Sequence, residues 1–382
     1  MNDCNICGTA LGEPVFSSES DVALTSLCEL TKGRVRIWSC PGCSHLVGDA
    51  LPNTAKYYEA DYRILLDHDD EDQIYEIQNE EIIYRTDHQI TILLDKLNLP
   101  AQASLLDYGC AKASTPKKLL TLRNDIQVHL FDVSNMYREH WDRFVTPDRR
   151  AIHETPADWN KRFDVVTSFF ALEHIPAPLP AVMHIAELLL DDGVFYGIVP
   201  DTFGNVADFV VIDHVNHFTD ASLRTLLEAA GFVEIDIDAN VHRGALVFTA
   251  RKHGTSKSTQ DLKSILARSK ALADYWNGIG ARIKAAESEC AEKSIAIYGS
   301  GFYGAYIFST LKNAERVACF LDRSPFQQTK KLFGKPIRAP EHLPADIDTL
   351  FVGLNPAIAR ATMERMVWLG KPPILVFLDE GK

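Results

Sequence analysis

The sequence predicts an α/β protein whose largest part is a doubly wound sheet of mainly parallel strands. Three apolar runs, residues 104–107, 128–131 and 163–170, have the length and composition of buried strands. Each run ends in polar or small residues, and segments with helical patterns separate them, which is the alternation of a parallel sheet. Because ligands of such sheets bind at the carboxyl ends of the strands, the residues after these runs are the first binding-site candidates.

The amino-terminal end (residues 1–55) is predicted to be a small zinc-binding module. Two CxxC pairs are formed by Cys4, Cys7, Cys40 and Cys43. Each pair makes a tight knuckle, and two knuckles complete a tetrahedral site for Zn²⁺ with no open position, so the metal is expected to be structural. A redox-active CxxC pair and a site that has lost its metal are the alternatives. His45 is expected at the rim of this module.

The turn after the first apolar run is the most informative segment of the central part, residues 100–253. It runs from Asp107 through Gly109 to Ala113, and Asp132 ends the second run. A strand-end carboxylate can accept two hydrogen bonds from a ribose diol, and a glycine lets the backbone approach a ligand closely. Ala111 is expected to avoid positive φ. The alternative is a Rossmann-like domain that has lost its cofactor.

This turn resembles the D/E-x-G-x-G-x-G motif of class I S-adenosylmethionine (SAM)-dependent methyltransferases, with Ala111 and Ala113 replacing two glycines. Residues 163–175, FDVVTSFFALEHI, resemble the fourth-strand motif of the same family. The resemblance implies a seven-stranded Rossmann-like methyltransferase domain with SAM as cofactor. It also implies that the cofactor is bound by Asp107, Gly109, Cys110, Ala111, Asp132 and Phe170.

The segments around this core are predicted from periodicity. Residues 56–99 form a connector in which the helical spacing of apolar residues predicts one helix over 73–97. Residues 194–199 predict the fifth strand, and residues 233–237 and 245–250 predict a final antiparallel pair.

One helix of the central part carries signals at both of its ends. Thr219 with Ser222 supplies helix-start chemistry, and Gly231 is placed to end the helix. A helix is therefore expected between these residues.

The carboxyl-terminal part is predicted to contain a linker and long helix (residues 254–292) and a small Rossmann-like α/β domain (293–382). Gly299, Gly301 and Gly304 follow a strand, and an acid ends the next strand, as in the dinucleotide-binding fingerprint. The remaining chain is about half of a full dinucleotide domain. We therefore favour a mononucleotide-type or purely structural unit over a nicotinamide site.

Composition and charge narrow the class of protein. A hydrophobic fraction of 46% is that of a globular protein, and a net charge of −13 argues against nucleic acid as substrate, although a local basic groove stays open. No apolar run is long enough to cross a membrane, and the amino terminus lacks the pattern of a signal peptide. Eight cysteines with two CxxC pairs fit a reducing compartment. A soluble, cytoplasmic protein without a membrane partner is expected.

The order of parts along nearly the whole chain resembles that of the zinc-containing sugar C-methyltransferases, which act on nucleotide-linked 4-keto-deoxysugars. Residues 321–344 are similar to the carboxyl-terminal pattern of that family, and Asn355 stands at its tryptophan-asparagine pair. The resemblance implies a nucleotide-sugar or similar small molecule as substrate. It also implies catalytic roles for His174 and His214.

Carbon methylation beside a ketone needs a general base and stabilisation of the enolate. An imidazole titrates near neutral pH, so we expect His214 to be the base, oriented by Asp213, while His174 places or polarises the acceptor oxygen. Asp213 stands where the family has glutamate, and the family's neighbouring tyrosine is absent. Purely structural roles for both histidines are the alternative, as is half of a metal site formed by His214 with His217.

Three classes of function remain open from the sequence. The first is a SAM-dependent methyltransferase, with oxygen or nitrogen as alternatives to carbon. The second is an oxidoreductase or nucleotide-binding protein that uses residues 299–304. The third is a non-catalytic, zinc-bearing assembly protein with a degenerate central domain. The sequence leaves the acceptor and the oligomeric state undetermined.

Overall fold

The computed structural model describes residues 3–63, 72–78, 81–254, 262–290 and 293–379. These residues divide into two compact units, Met1–Ser17 with Val35–Ser269 and Ser18–Arg34 with Lys270–Lys382. Residues 18–34, which the sequence analysis places in the zinc module, therefore group with the carboxyl-terminal residues. The predicted linker lies outside the described residues apart from Gly254.

A seven-stranded sheet forms the centre of the first unit. Its strands are β1 (Ser104–Tyr108), β2 (Gln127–Asp132), β3 (Arg150–Ile152), β4 (Phe163–Phe169), β5 (Leu189–Pro200), β6 (Glu234–Asp238) and β7 (Ala245–Arg251). They lie in the order β3-β2-β1-β4-β5-β7-β6. Strand β7 runs antiparallel to β5 and β6, and the other neighbours are parallel. The predicted α/β fold class is confirmed.

The sheet is buried on both faces, which explains why its strands read as continuous apolar runs. Successive residues belong to different hydrophobic clusters: Val165 and Tyr196 to one, Val166 and Phe195 to the other. The first cluster is completed by helices Arg85–Lys96, Ser114–Leu122 and Arg138–Trp141. The second is completed by Pro178–Leu188 and Asp220–Ala229. Each fully buried Phe or Leu stabilises this arrangement by about 1.5–3 kcal/mol.

The prediction of one helix over residues 73–97 is wrong. Ile74–Gln78 and Glu81–Tyr84 pair as an antiparallel hairpin, and only Arg85–Lys96 is helical. The hairpin residues are mostly isoleucine, tyrosine and glutamate, and β-branched and aromatic side chains favour strands. The helical spacing of the apolar residues thus extended by coincidence beyond the true helix start.

The helix Asp220–Ala229 begins and ends as its sequence predicts. The Thr219 side chain accepts a hydrogen bond from the Ser222 N–H at 3.2 Å, and the Ser222 hydroxyl accepts one from the Thr219 N–H at 3.0 Å. This reciprocal cap satisfies two donors that the first turn leaves open. Gly231, at φ 93°, ends the helix in the left-handed conformation that glycine favours.

The amino-terminal segment that contains the two CxxC pairs shares a sheet with the central part of the chain. Its four strands are Phe16–Ser17, Arg36–Ser39, Leu46–Gly48 and Asn216–His217. The last strand comes from the segment between β5 and β6, and it pairs antiparallel with Leu46–Gly48. A short helix, Thr54–Lys56, and one π-helical turn, Tyr57–Asp61, follow. The amino-terminal module is thereby held against the loop that carries His214.

The second unit is built on a six-stranded sheet. In spatial order its strands are Lys331–Leu332, Lys335–Arg338, Val317–Leu321, Ile295–Tyr298, Thr349–Val352 and Ile374–Phe377. Its helices are Phe302–Thr310, Pro325–Gln328 and Pro356–Glu364, and the hairpin Val22–Leu24 with Leu30–Lys32 belongs to the same unit.

The helix Leu262–Glu289 contributes residues up to Ser269 to the first unit and residues from Lys270 to the second. None of the helices in the described part of the chain has the length and apolarity that crossing a bilayer requires.

Candidate active site

The turn between β1 and the helix Ser114–Leu122 lies at the carboxyl ends of the parallel strands. Gly109 has φ 77°, and a Cβ at this position would lie 2.7 Å from Cβ of Ala171. The N–H groups of Gly109 and Cys110 donate to the Phe131 carbonyl at the end of β2. The turn is therefore tied to the strand end that carries Asp132, as the predicted cofactor site requires.

Asp132 organises this turn through its carboxylate. One oxygen accepts the Ala111 N–H at 2.7 Å, and the other accepts the Ser134 N–H at 2.9 Å. Burial raises the pKa of Asp132, and these two N–H groups act in the opposite direction. A carboxylate has about four acceptor sites, so two bonds from the backbone leave capacity for a ribose diol.

The expectation that Ala111 avoids positive φ is wrong. Ala111 has φ 43° and Ala113 has φ 58°, so both alanines adopt the left-handed conformation. This conformation costs roughly 1–2 kcal/mol for a residue with a Cβ. The bonds around the turn fix it, because the Trp141 indole donates to the Ala111 carbonyl and the Ala113 N–H donates to the Cys110 carbonyl, both at 2.7 Å. The turn thus keeps the backbone path of a glycine-rich loop.

Two other predicted cofactor residues lie at the ends of β1 and β4. Asp107 is buried, and its carboxylate accepts the Thr167 hydroxyl at 2.8 Å. Burial raises the pKa of Asp107 to about 7. Phe170 has φ 53°, and the Arg85 guanidinium lies 4.0 Å from its ring centroid.

The buried carboxylate of Asp208 holds two histidines. It accepts from Nδ1 of His214 at 2.6 Å and from Nδ1 of His217 at 3.1 Å, and the Thr202 hydroxyl donates to it at 2.7 Å. Burial alone would lower the pKa of His214, but the hydrogen bond to Asp208 and its charge outweigh this effect and raise the pKa to about 9. Because Nδ1 of His214 is bonded to Asp208, Nε2 is the nitrogen that can contact a substrate.

The predicted orienting role of Asp213 is corrected by this geometry. The carboxylate bonded to Nδ1 of His214 is Asp208, whereas the nearer Asp213 oxygen lies 3.9 Å from Nδ1 of His174. Nδ1 of His217 also donates to Asp208, so we assign this histidine a structural role beside the same carboxylate. No sequence motif marks Asp208, which lies in the 3₁₀-helical turn Val206–Val210, six residues before His214.

His174 lies against His214, with ring centroids 4.7 Å apart. Its Nδ1 is 2.8 Å from the Tyr58 hydroxyl and 3.2 Å from the Asp213 carbonyl oxygen. Because a carbonyl only accepts, Nδ1 carries the proton and Nε2 has the lone pair. Burial, and then the charge of His214, lower the pKa of His174 to about 4, so this imidazole is neutral near pH 7.

Glu173 completes an acid–base cluster with the two histidines. Glu173, His174 and His214 each bring one nitrogen or oxygen atom within 4.8 Å of the others. Glu173 is buried, and its Oε2 has no hydrogen-bond partner among the described residues. Burial raises the pKa of Glu173 to about 7, against the opposite effect of the His214 charge. The cluster therefore contains groups of well-separated acidity, as acid–base catalysis uses.

The four predicted metal ligands also come together. The sulfurs of Cys4 and Cys43 lie 3.7 Å apart, those of Cys7 and Cys40 lie 3.4 Å apart, and all four fall within 4.8 Å of one another. Ligands about 2.3 Å from a tetrahedral zinc are separated by about 3.8 Å, so the donor set fits this metal. His45 is not at a rim as expected, because it is fully buried and bonds Asn216 at 3.3 Å.

Comparison with protein families identifies the central part of the chain. Residues 79–236 match the family model described as "Methyltransferase domain". The match spans β1 to β5, the turn at Gly109 and the segments that carry both histidines. The protein therefore carries a SAM-dependent methyltransferase domain, and the prediction of a methyltransferase enzyme is confirmed. A comparison with curated proteins gives no match.

Three similar solved structures each cover less than half of this chain. A chain from the complex between the Haloferax volcanii Trm112 methyltransferase activator and a methyltransferase is 19% identical, with TM-score 0.38 and coverage of 44% of this chain and 91% of that chain. The Burkholderia thailandensis 1,6-didemethyltoxoflavin-N1-methyltransferase is 24% identical, with TM-score 0.34 and coverage of 44% and 78%. The CurJ carbon methyltransferase is 14% identical, with TM-score 0.35 and coverage of 43% and 52%, so this chain spans about half of its length.

Proposed function

We propose that this enzyme methylates carbon in a nucleotide-linked keto-sugar or a related glycan or natural-product precursor. The resemblance of the chain to sugar C-methyltransferases supports this acceptor class. The observation that carries the chemistry is the bond between Asp208 and His214 at 2.6 Å, beside a neutral His174. Carbon next to a ketone is acidic enough for such a base, and methylation of oxygen or nitrogen is the alternative.

SAM supplies an electrophilic methyl group on a sulfonium. The strand-end turn is proposed to hold it, with Asp132 on the ribose and the backbone at Gly109 close to its methionine part. Nε2 of His214 takes the proton from the acceptor carbon, and Asp208 stabilises the imidazolium. The electron pair of the broken C–H bond forms the new C–C bond, while the pair of the S–C bond stays on sulfur. Because Nε2 of neutral His174 has a lone pair, His174 is proposed to orient the acceptor by accepting a hydrogen bond from one of its hydroxyl groups.

We also propose that Cys4, Cys7, Cys40 and Cys43 bind a structural Zn²⁺. Four thiolates around one ion leave no position for a substrate, so its contribution is to stability. The distances between the sulfurs support this assignment.

The test combines tritiated SAM with a panel of nucleotide-linked 4-keto-deoxysugars. Label is expected in the sugar, and mass spectrometry with fragmentation locates the new methyl group on carbon. His214→Ala is expected to lower the rate by about 10²- to 10⁴-fold, which is the usual contribution of a general base, with unchanged SAM affinity. His253→Ala, which changes an exposed histidine of the same unit, is the control.

Two results would contradict the proposal. Label found on oxygen or nitrogen would show that the enzyme methylates one of these atoms and not carbon. Full activity of His214→Ala would remove this residue from the mechanism.

A further inference from the structure

The side chain of Asn216 joins three segments that meet next to the acid–base cluster. Its Nδ2 donates to the carbonyls of Leu172 and Ile175, both at 2.8 Å. These carbonyls flank Glu173 and His174. Its Oδ1 accepts from Nδ2 of Asn5 at 2.7 Å and from Nε2 of His45 at 3.3 Å. Asn216 itself lies two residues after His214 and is fully buried.

This arrangement fixes the orientation of the amide. Both carbonyl partners can only accept, so the nitrogen of Asn216 faces them and its oxygen faces Asn5 and His45. Two donors and two acceptor sites are thus all used. A buried amide whose hydrogen bonds are all made is costly to disturb, because each lost partner leaves a desolvated polar group.

The partners on the Oδ1 side belong to the cysteine knuckles. Asn5 lies between Cys4 and Cys7, and His45 lies two residues after Cys43. Asn5 also donates to the Pro176 carbonyl at 3.2 Å. A metal that fixes the four sulfurs would therefore also fix the two side chains that hold Asn216.

The backbone of Val215, next to Asn216, makes a second connection between the same segments. The Val215 N–H donates to the Glu173 carbonyl at 2.9 Å, and the Val215 carbonyl accepts the Gly48 N–H at 2.8 Å. Val215 is the residue between His214 and Asn216. The segment that carries His214 is consequently attached on one side to the turn with His174 and on the other to the knuckle module.

We infer that Asn216 is a positioning residue, through which the knuckles set the relative placement of His174 and His214. This inference rests on the proposed function for its kinetic consequence, while the placement of the rings can be measured without an acceptor. Displacement of a catalytic group by about 1 Å can lower the rate by about 100-fold, which gives such a residue a large effect without contact to substrate.

The experiment uses Asn5→Ala, Asn216→Ala and the double variant of the full chain. Asn5→Ala is the milder change, because Asn5 is only partly buried and lies outside the acid–base cluster. Asn160→Ala, at an exposed asparagine of the same unit, is the control. Bound zinc and SAM affinity are measured first, and unchanged values show that each variant is folded.

Two readouts then test the inference. Asn216→Ala is expected to lower kcat by about 10- to 100-fold with unchanged SAM affinity, and Asn5→Ala by about 10-fold. The double variant is expected to be no slower than Asn216→Ala, because both changes break one connection. In proton NMR, the low-field Nδ1–H signal from the bond between His214 and Asp208 is expected to shift or broaden in both variants and to stay in the control.

An unchanged low-field signal and unchanged kcat in zinc-loaded, SAM-binding Asn5→Ala and Asn216→Ala would overturn the inference. Absence of methyl transfer by the wild-type enzyme with every acceptor tested would instead contradict the proposed function. In that case the NMR comparison still decides whether Asn216 holds the histidine pair.

Discussion

At the scale of single residues, the most consequential contact is the one between Asp208 and His214. An imidazole with a raised pKa is a strong base, but it must lose its proton before it can accept one from substrate. The surrounding charged and titratable groups are Asp208, Asp213, Glu173 and His174. Their balance therefore decides at which pH His214, the proposed base, is neutral.

We expect kcat/KM of the wild-type enzyme to rise with pH up to about 9, where His214 becomes neutral. Asp208→Asn removes the charge that raises this pKa, so the rising part of the profile should move to lower pH. The maximum rate should fall because the ring loses its orientation. A pH profile of methyl transfer between about 6 and 10 checks this, and an identical profile for both enzymes would contradict the assignment of His214 as base.

The same pKa has a consequence for stability. A histidine whose pKa is raised on folding stabilises the protein fully below its unfolded value of about 6.5. This contribution is lost as pH rises through about 9. Alkaline loss of stability should therefore be smaller in Asp208→Asn than in the wild type.

The left-handed alanines of the first turn give a second prediction for one residue. Ala111→Gly should raise the free energy of unfolding by about 0.5–1 kcal/mol, since glycine adopts φ 43° without the penalty of a Cβ. The half-buried Ala181 in the helix Pro178–Leu188 is a matched control, where glycine should destabilise by about 1 kcal/mol. Urea unfolding of both variants measures the difference, and equal effects of the same sign would contradict the explanation.

At the scale of elements, the glycine fingerprint of the second unit has a packing explanation. A Cβ on Gly304 would lie 1.9 Å from the Gly299 carbonyl oxygen, and one on Gly299 would lie 2.3 Å from the Gly353 carbonyl oxygen. The helix Phe302–Thr310 can approach the strand Ile295–Tyr298 only because these positions lack side chains. Two of the three fingerprint glycines are thus required by the fold itself, with or without a nucleotide.

Gly304→Ala should therefore destabilise the second unit by about 3 kcal/mol or more, because the added methyl group meets backbone atoms that cannot move aside. Gly301→Ala is the control, since a Cβ there meets nothing within 4 Å and should change stability by less than about 0.5 kcal/mol. Thermal unfolding measures both variants. Similar midpoints would show that the close approach is not needed.

In both units, the aspartate at the end of the second strand accepts a backbone N–H of the turn that follows the first strand. In the second unit Asp322 accepts the N–H of Ser300 and of Ser324, both at 2.9 Å. Asp132 accepts the corresponding N–H groups of Ala111 and Ser134 in the first unit. The strand, the turn and the aspartate occur at characteristic spacings along the chain, which is why the sequence predicts both α/β units.

What the sequence could not predict depends on contacts between distant segments. Six of the seven strands follow from apolar runs and turn residues, because each signal is local, whereas no run predicts the three-residue strand β3 (Arg150–Ile152). The hydrogen-bond partner of His214 has no such local signal, since the approach of the short helical turn with Asp208 depends on tertiary structure, and the same is true of the Tyr58 hydroxyl near Nδ1 of His174. The buried place of His45 also depends on strand pairing between residues 46–47 and 216–217.

At the scale of the whole molecule, the cysteine cluster proposed to hold Zn²⁺ is part of the main core. Cys4, Cys40 and Cys43 belong to the same hydrophobic cluster as Phe163 and Phe195 of the central sheet. Loss of the metal should therefore be felt beyond the knuckles. Such a site differs from a zinc finger that folds and unfolds on its own.

Removal of zinc with a strong chelator should lower the unfolding midpoint by about 10 °C. Structural zinc contributes several kcal/mol, and about 1 kcal/mol corresponds to about 2–4 °C in a unit of about 250 residues, the size of the first unit. Calorimetry before and after chelation measures this change. Zn²⁺ should restore the midpoint and Mg²⁺ should not, because thiolates favour zinc. An unaltered midpoint in protein shown to be metal-free would argue against a structural metal.

The path of the chain between the two units limits how the protein can be divided. It leaves the first unit after Ser17, contributes the hairpin Val22–Leu24 with Leu30–Lys32 to the second, and returns at Val35. A gene fragment for residues 270–382 would lack this hairpin, and one for residues 1–269 would carry it without its packing surface. Expression of the halves as independent proteins would thus require moving residues 18–34 to the other fragment by circular permutation or grafting.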